Sequence, residues 1–144
     1  MQYIIFGFIS LIIYSPALAD TLQGKVVKIA DSDTVTIVDD SGKTHRIRIA
    51  GIDAPEKNQS YGDVSTQGLV ELVSGKTVTI EFVKRDRYKR IVGKVLVDPP
   101  GEVFCMALDY VKKIDAGLEQ IQAGLAWHYK YYQMEQSEVD RRLY

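Results

Sequence analysis

Hydrophobic and polar residues alternate in three short runs in the first part of the chain. These runs are rich in β-branched residues and occupy residues 25–30, 34–38 and 44–50. Because successive side chains of a strand point to opposite faces, the alternation predicts three strands. The segments that separate them, 31–33 and 39–42, are rich in Asp, Ser and Gly, which is typical of turns. We therefore predict a three-stranded meander.

The period of the pattern changes after the third strand. Between residues 64 and 73 apolar residues recur at roughly helical spacing, and Gly75 is well placed to end a helix. At residues 77–83 apolar side chains again alternate with Thr and Glu, and residues 91–97 form another apolar run. Two further strands are therefore predicted after the helix.

The order of these elements indicates an α+β fold. Five strands with a helix inserted after the third fit a small, partly open, five-stranded Greek-key β-barrel of the OB type. Near the carboxyl end, the sequence from Ser137 to Asp140 has the form of a capping box, with Ser137 as the N-cap of a last, short helix. The pattern contains no internal repeat and no low-complexity linker.

Composition places these elements in one domain behind a leader. The chain has 144 residues, 46% hydrophobic and 26% charged, as expected for a single globular domain. Residues 3–19 carry no charge and end in Ala-Leu-Ala, typical of a signal-peptidase site. We predict a cleaved signal peptide at residues 1–19, export to the periplasm or the extracellular space, and a mature domain at 20–144. The alternative is an uncleaved membrane anchor, because the first residues lack Lys and Arg.

Cysteine content and charge narrow the possibilities further. The single cysteine, Cys105, excludes an intramolecular disulfide and lies in a long connection between residues 99 and 114. It is either a simple thiol or a site of intermolecular pairing. The formal net charge of −1 argues against a general cationic coat for nucleic acid. Basic residues cluster instead at 84–94 around Tyr88, which fits either a solvated hairpin rim or a local nucleic-acid contact.

Candidate chemistry gathers at the end of the third strand. Arg48 lies on the polar face of that strand, and Asp53 and Glu56 follow it. The proline between the two acids removes a backbone donor, so we predict that both lie on a turn and not inside a sheet. Alone, this motif fits an ordinary solvated strand end equally well. However, Asp33 lies in the turn before the second strand, and an arginine-rich loop at 86–90 precedes the fifth.

Three motifs in this order resemble the staphylococcal (micrococcal) nuclease family. They are Asp-x-Asp-Thr at 31–34, Arg followed by Asp-x-Pro-Glu at 48–56, and Asp-Arg-Tyr-x-Arg at 86–90. The resemblance covers roughly residues 22–132. It implies the OB-type barrel with about three α-helices, the second at 115–123. It also implies that the last helix is truncated, since the family's last helix usually continues further.

The resemblance implies a Ca²⁺ site. Asp33 and Asp53 match the family's metal-binding aspartates, and the backbone carbonyl of Ala54 completes the protein ligands, at a position that usually carries Thr. Hard oxygen ligands of this kind suit Ca²⁺, which also accepts several waters. Glu56 matches the glutamate that orients or deprotonates the attacking water.

The resemblance also implies a phosphate and nucleotide site. Arg48 and Arg90 match the two arginines that grip the scissile phosphate, for which a planar guanidinium offers two donors at once. Arg87 and Tyr88 match a basic residue and a tyrosine near the terminal phosphate of a bound nucleotide. Tyr132 matches one of two tyrosines that pack against the nucleotide.

We therefore expect an exported, Ca²⁺-dependent, sugar-nonspecific nuclease. It would cut single-stranded DNA and RNA in preference to duplex, leave 3′-phosphates, act as a monomer and have no stable membrane association after leader cleavage. The family's second tyrosine position holds Lys130, so base stacking departs from the family in detail. One rival is a non-catalytic OB-type module that binds oligonucleotides or protein tails, although none of the expected catalytic side chains is missing. The other is an inactive or unstable fragment.

Overall fold

The computed structural model describes residues 19–100 and 113–144 as strands and helices in one α+β fold. The strands are β1 (Asp20–Asp31), β2 (Thr34–Val38), β3 (Thr44–Ile49), β4 (Ile52–Asp53), β5 (Thr77–Arg85), β6 (Ile91–Val97), β7 (Ile114–Asp115) and β8 (Trp127–His128). The helices are α1 (Gly62–Val73), α2 (Ala116–Gln122) and α3 (Glu138–Leu143), with a 3₁₀ segment at Lys130–Glu135. The predicted fold class is thereby confirmed.

Five of the strands close into a mixed β-barrel. Hydrogen-bonded neighbours follow the order β3-β2-β1-β5-β6, and a parallel pairing of β3 with β6 closes the ring. β1 is long enough to serve two neighbours, since its first half pairs with β5 and its second half with β2. In the closing pair Arg48 stands opposite Val92, two residues after Arg90. Closure therefore brings the two predicted phosphate-binding arginines to neighbouring strands.

Apolar residues of the alternating pattern fill the barrel. In β6, buried and half-buried residues alternate from Ile91 to Val97, as the period of two requires. Leu69 and Val73 of α1 are fully buried in the same core cluster. Burying each Val, Leu or Ile side chain stabilises the fold by about 1.5–3 kcal/mol. Because the single cysteine cannot form an internal disulfide, this core must carry the stability.

The structure corrects the prediction in three places. β1 begins at Asp20, earlier than expected, because residues 20–25 form a ladder with β5. α1 begins at Gly62, before the apolar positions that predicted it. The placement of Asp53 on a turn was wrong, since Asp53 ends β4, where it pairs with Trp127 of β8. That ladder joins distant segments, and no local pattern signals it.

Two predicted features lie outside the described residues. They are residues 1–18 of the leader, and most of the 99–114 connection with Cys105. Among the residues that are described, no helix is long and apolar enough to cross a membrane. At the other end the predicted N-cap is confirmed, because the Ser137 hydroxyl oxygen accepts the Asp140 N–H at 3.1 Å.

Asp39 organises the turn between β2 and β3. Its carboxylate accepts hydrogen bonds from the N–H and hydroxyl of Ser41 and from the Lys43 N–H, and it pairs with His45 Nε2 at 2.7 Å. The Ser41 hydroxyl, followed by His45, lowers the pKa of Asp39 below its usual value. A carboxyl pKa lowered in the folded state contributes stability above the unfolded pKa of about 3.9, and this contribution is lost as the pH falls.

We expect the free energy of unfolding to fall more steeply below about pH 4 in the wild type than in Asp39→Asn. The asparagine variant has no carboxylate to protonate at this turn. Denaturant titrations at a series of acidic pH values measure the difference. Asp40→Asn, at the exposed neighbouring position, should keep the wild-type pH dependence. Parallel pH profiles for wild type and Asp39→Asn would contradict the role given to this turn.

Candidate active site

Two carboxylates and one arginine meet where β2, β3 and β4 come together. Asp33 immediately precedes β2, Arg48 is the penultimate residue of β3, and Asp53 ends β4. The Nη2 nitrogen of Arg48 lies 3.1 Å from Asp33 Oδ2 and 4.0 Å from Asp53 Oδ1. The structure thus brings together three of the predicted site residues, and both carboxylates face the same cation.

Backbone contacts hold Arg48 in this position. Its Nη1 nitrogen donates to the carbonyl oxygens of Ile49 at 3.0 Å and Ile52 at 3.1 Å. The Ile49 N–H in turn donates to the carbonyl of Asp33 at 2.8 Å. The Thr34 hydroxyl donates to Asp33 Oδ1 at 2.7 Å. The guanidinium and the first carboxylate are therefore fixed by the ends of the strands that carry them.

Burial raises the pKa of Asp33. The charge of Arg48 and the hydrogen bond from Thr34 act in the opposite direction, while the negative charge of Asp31 adds to the rise and Arg90 opposes it. The ionised form of Asp33 therefore depends on nearby positive charge. A cation that binds beside this carboxylate would favour the ionised form further.

The turn between β5 and β6 positions Arg90. Asp86 accepts hydrogen bonds from the N–H groups of Tyr88 and Arg90, each at 2.9 Å, and from Arg90 Nε at 2.7 Å. Burial acts to raise the pKa of Asp86, but the hydrogen bonds and charge of Arg90 outweigh it, and the pKa is lowered. Asp86 therefore stays ionised and orients Arg90 through Nε, and not through its two terminal nitrogens.

The same turn presents an aromatic ring between two guanidinium groups. The Cζ atom of Arg87 lies 4.8 Å from the centroid of the Tyr88 ring, and that of Arg90 lies 5.4 Å from it. Both distances are within the range of cation–π attraction. Tyr88 is 60% exposed. The predicted substrate-binding pair Arg87 and Tyr88 therefore forms one positively charged, solvent-accessible surface.

A second aromatic group lies in and beside the 3₁₀ segment. The ring of Tyr132 lies 5.6 Å from that of Tyr129 and 4.8 Å from that of Tyr131, between centroids. Lys84 Nζ stands 4.6 Å from the centroid of Tyr132 and also pairs with Glu135. Lys84 belongs to the basic cluster at 84–94, whereas no role was predicted for Tyr129. No periodic signal could have found Tyr129, because it precedes the 3₁₀ segment and has a non-helical backbone.

These groups line one cleft of about 990 Å³. The cleft joins the barrel strands β3 and β6, the β5–β6 turn and the 3₁₀ segment. Its walls include most of the predicted catalytic and nucleotide-binding side chains, together with the newly found tyrosine: Arg48, Asp53, Arg87, Tyr88, Arg90, Tyr129 and Tyr132. The cleft therefore combines a group of arginines and lysines with exposed aromatic rings and several carboxylates, Asp53 among them.

Three predicted residues stand outside the described lining of the cleft: Asp33, which pairs with Arg48 of that lining, Ala54 and Glu56. Glu56 is exposed and lies on the turn after β4, where its N–H donates to Gln59 Oε1 at 2.9 Å. Ala54 follows Asp53 directly and is only 8% exposed. Glu56 thus follows Asp53 by three residues and is exposed to solvent. The structure does not bring its carboxylate against Arg48 or Arg90.

The donor set at Asp33 and Asp53 fits a hard divalent cation. Within residues 19–100 and 113–144, no group of three or more His, Cys, Asp or Glu side chains forms a metal site. Two carboxylates nevertheless approach one cationic nitrogen within 4.0 Å, and Asp53 is nearly half exposed. Ca²⁺ accepts carboxylates, backbone carbonyls and waters together, so two carboxylates with the neighbouring Ala54 carbonyl are a sufficient protein contribution.

Comparisons with known proteins agree with this geometry. The family model described as staphylococcal nuclease homologue matches residues 46–144. An uncharacterized endonuclease of Escherichia coli is 41% identical over 117 residues, which are 81% of this chain and 67% of that protein. An uncharacterized endonuclease of Haemophilus influenzae is 37% identical over 108 residues, covering 75% of this chain and 53% of that protein. A micrococcal nuclease of Shigella flexneri is 35% identical over 125 residues, covering 85% and 66%.

Proposed function

The chain belongs to the staphylococcal nuclease family, and from that premise we propose that it hydrolyses phosphodiester bonds of DNA and RNA with Ca²⁺ as cofactor. The observation that carries the proposal is the joint placement of Arg48, Asp53 and Arg90 in one cleft. The alignments with this chain cover from about half to two thirds of the length of each relative. The names of these relatives support a nuclease activity in general. Ca²⁺ as the cofactor and the preference for single strands are proposed on the geometry of the cleft.

The two arginines provide donors for the scissile phosphate. Arg48, beside Asp33 and Asp53, and Arg90, at the β5–β6 turn, both line the cleft, and we propose that both contact the bound phosphate. Both are oriented before substrate arrives, Arg48 by two carbonyls and Arg90 by Asp86. Donors fixed in advance stabilise the charge that grows on the phosphoryl oxygens without reorganisation during the reaction.

Glu56 provides the base. It is exposed on the turn after β4, on the chain that leads from the carboxylate pair, where it can reach a water on the open side of a bound phosphate. A carboxylate in this role orients the water and accepts its proton as the phosphorus–oxygen bond forms.

Asp33, Asp53 and the carbonyl of Ala54 would hold the Ca²⁺ ion. When bound, the ion supplies positive charge beside the phosphate and lowers the cost of bringing a hydroxide-like oxygen to it. Arg48 Nη2 lies 3.1 Å from Asp33 and 4.0 Å from Asp53. The protein groups therefore offer negative charge for the ion and positive charge for the phosphate within a few ångströms.

Exposed aromatic rings support a preference for single strands. Tyr88 and Tyr132, both exposed, and Tyr129 line the cleft. Rings of this kind bind unstacked bases, which a duplex does not offer, and they do so with little regard to sequence. Contacts to phosphate carry no sequence information either. We therefore propose that the enzyme cuts single-stranded DNA and RNA without regard to base sequence.

We also propose that the mature protein begins at Asp20, is exported to the periplasm or the extracellular space, and acts as a monomer. The uncharged segment at residues 3–19 supports export. Mass spectrometry of the secreted protein tests the mature terminus, and sedimentation tests the monomer.

Digestion of labelled single-stranded DNA tests the main proposal. We expect cleavage with Ca²⁺, loss of cleavage with chelator, and recovery when Ca²⁺ is restored. Mg²⁺ should support cleavage poorly, because it demands a tighter octahedron and holds its waters harder than Ca²⁺ does. An initial rate with Mg²⁺ alone that equals the rate with Ca²⁺ would contradict the assignment of Ca²⁺ as cofactor. Binding of the DNA without cleavage under any of these conditions would favour the non-catalytic OB-type module.

A further inference from the structure

A second groove lies beside the β4–β8 pair, and its described lining shares no residue with that of the catalytic cleft. Its volume is about 680 Å³. All of its described lining residues are uncharged, and they include Trp127, Tyr61, Leu125 and the amide or hydroxyl side chains of Asn58, Gln59 and Ser65. Such a lining suits a flat ring with polar edges better than it suits a phosphate.

Trp127 connects this groove to the catalytic centre. It stands directly opposite Asp53 in the antiparallel β4–β8 ladder. Side chains of directly opposed residues lie on the same face of a sheet, with Cβ atoms about 4.5–5.5 Å apart. Trp127 is 57% exposed, although an indole ring offers a large apolar area to bury. Asp53, which lines the cleft, and the exposed indole of Trp127, which lines the groove, are therefore neighbours.

Tyr61 also lines the groove and has an unusual backbone conformation. It precedes α1 with φ of 64°, in the left-handed region that few non-glycine residues adopt, and it is 79% exposed. The next residue, Gly62, packs so closely that a Cβ atom would lie 1.9 Å from the carbonyl oxygen of Glu56. The exposed ring thus projects from a tight loop that begins at the proposed catalytic base.

This loop is also tied to the metal-binding end of the site. The hydroxyl of Ser32 donates to the carbonyl of Pro55 at 2.8 Å, and it contacts the carbonyl of Gly62 at 3.4 Å. Ser32 is buried and directly precedes Asp33. The groove, the base and the carboxylate pair are therefore parts of one fixed arrangement.

We propose that this groove binds a base of the single-stranded substrate, stacked on Trp127, on the opposite side of the scissile phosphate from the tyrosines of the catalytic cleft. The proposal rests on the proposed nuclease function and extends its substrate site past the point of cleavage. A strand that crosses the Asp53–Glu56 turn leaves the cleft directly into this groove. The amides of Asn58 and Gln59 offer donors and acceptors to any base, which fits nonspecific recognition.

The fluorescence of the full chain provides a direct test, because Trp127 is the only tryptophan in the sequence. With chelator present to prevent cleavage, a short oligothymidylate should quench this fluorescence in a saturable way. A single thymidine nucleotide, which fills only the tyrosine side, should quench it little. Quenching by the mononucleotide equal to that by the oligonucleotide would overturn the proposed position, and so would no quenching by either.

Variants give a second measurement. Trp127→Ala should weaken oligothymidylate binding about five-fold to a hundred-fold, the range that stacking of one base implies, and Trp127→Phe should restore most of it. Tyr61→Ala should show a smaller loss in the same direction. Val27→Ala, which removes equally exposed apolar surface on β1 outside the groove, should bind as wild type does. Mononucleotide binding should stay within about two-fold in all of them, since stacking at this groove is not involved.

The outcomes separate this proposal from the nuclease assignment. If the wild type cleaves DNA but Trp127→Ala binds oligonucleotides normally, the groove proposal fails and the enzyme stands. If the wild type binds oligonucleotides through Trp127 but cleaves nothing, the groove proposal stands and the enzyme assignment fails. An equal loss of mononucleotide and oligonucleotide binding in Trp127→Ala would show a general disturbance of β4, and it would overturn the proposal.

Discussion

Replacing Arg90 by lysine is expected to lower the turnover rate on single-stranded DNA by about 10²–10³-fold, with much less effect on substrate binding. Lysine keeps the positive charge but offers one ammonium group where arginine offers a planar fork. The structure sharpens this expectation. Asp86 holds Arg90 through Nε at 2.7 Å, so the two terminal nitrogens are the ones oriented for a phosphate. A lysine at this position can satisfy either Asp86 or the phosphate well, but not both.

Single-turnover rates at saturating oligonucleotide measure the effect without contributions from binding. Arg46→Lys is the matched control, because Arg46 is exposed on β3, two residues from Arg48, and lies outside the lining of the cleft. It should retain the wild-type rate. If Arg90 were only a charge at the rim, its replacement would change activity by a few-fold, mostly through salt-dependent binding. A change of less than about five-fold, far below the loss of a transition-state donor, would remove Arg90 from the catalytic group.

The barrel could be predicted from the sequence because its strands carry their own signal. The alternation in residues 34–38 and 44–50 matches β2 and β3 within a residue, since burial of one face imposes a period of two, and the apolar run at 91–97 matches β6. β4 and β8 could not be predicted in this way. Each has two residues, and each exists only because the other lies opposite it. The position of Asp53 depends on this pair, and for that reason its placement on a turn was wrong.

The site was predicted as a set of residues but not as an arrangement. The resemblance to the staphylococcal nuclease family pointed to Asp33, Arg48 and Asp53, yet only the closed barrel shows that one guanidinium nitrogen lies within 4.0 Å of both carboxylates. The part of the cleft that the 3₁₀ segment lines was harder to predict. Tyr129 and Lys84 reach it because the 3₁₀ segment packs against β5 through Lys84, Tyr132 and Glu135. Such contacts between distant segments leave no periodic trace in the sequence.

Replacing Glu56 by glutamine is expected to lower turnover by about 10²–10⁴-fold, the usual contribution of a general base. The affinity for Ca²⁺ should stay close to that of wild type, because Glu56 is exposed on the turn and the proposed ligands are Asp33, Asp53 and the Ala54 carbonyl. Asp53→Asn should instead lose Ca²⁺ affinity before it loses turnover at saturating Ca²⁺. It removes a ligand charge, so its first effect should be weaker Ca²⁺ binding.

Calcium titrations and single-turnover rates at saturating Ca²⁺ separate the two roles. Glu71→Gln is the matched control, since Glu71 is an exposed glutamate on α1 outside both grooves, and it should match wild type in both measurements. Asp53→Asn should recover part of its rate as Ca²⁺ is raised, because more of the enzyme then holds the ion, whereas Glu56→Gln should not, since no amount of metal replaces a missing base. If both variants lost Ca²⁺ affinity equally, Glu56 would be a ligand. The water would then need another base, and the exposed position of Glu56 beside the carboxylate pair would have to be explained by metal binding alone.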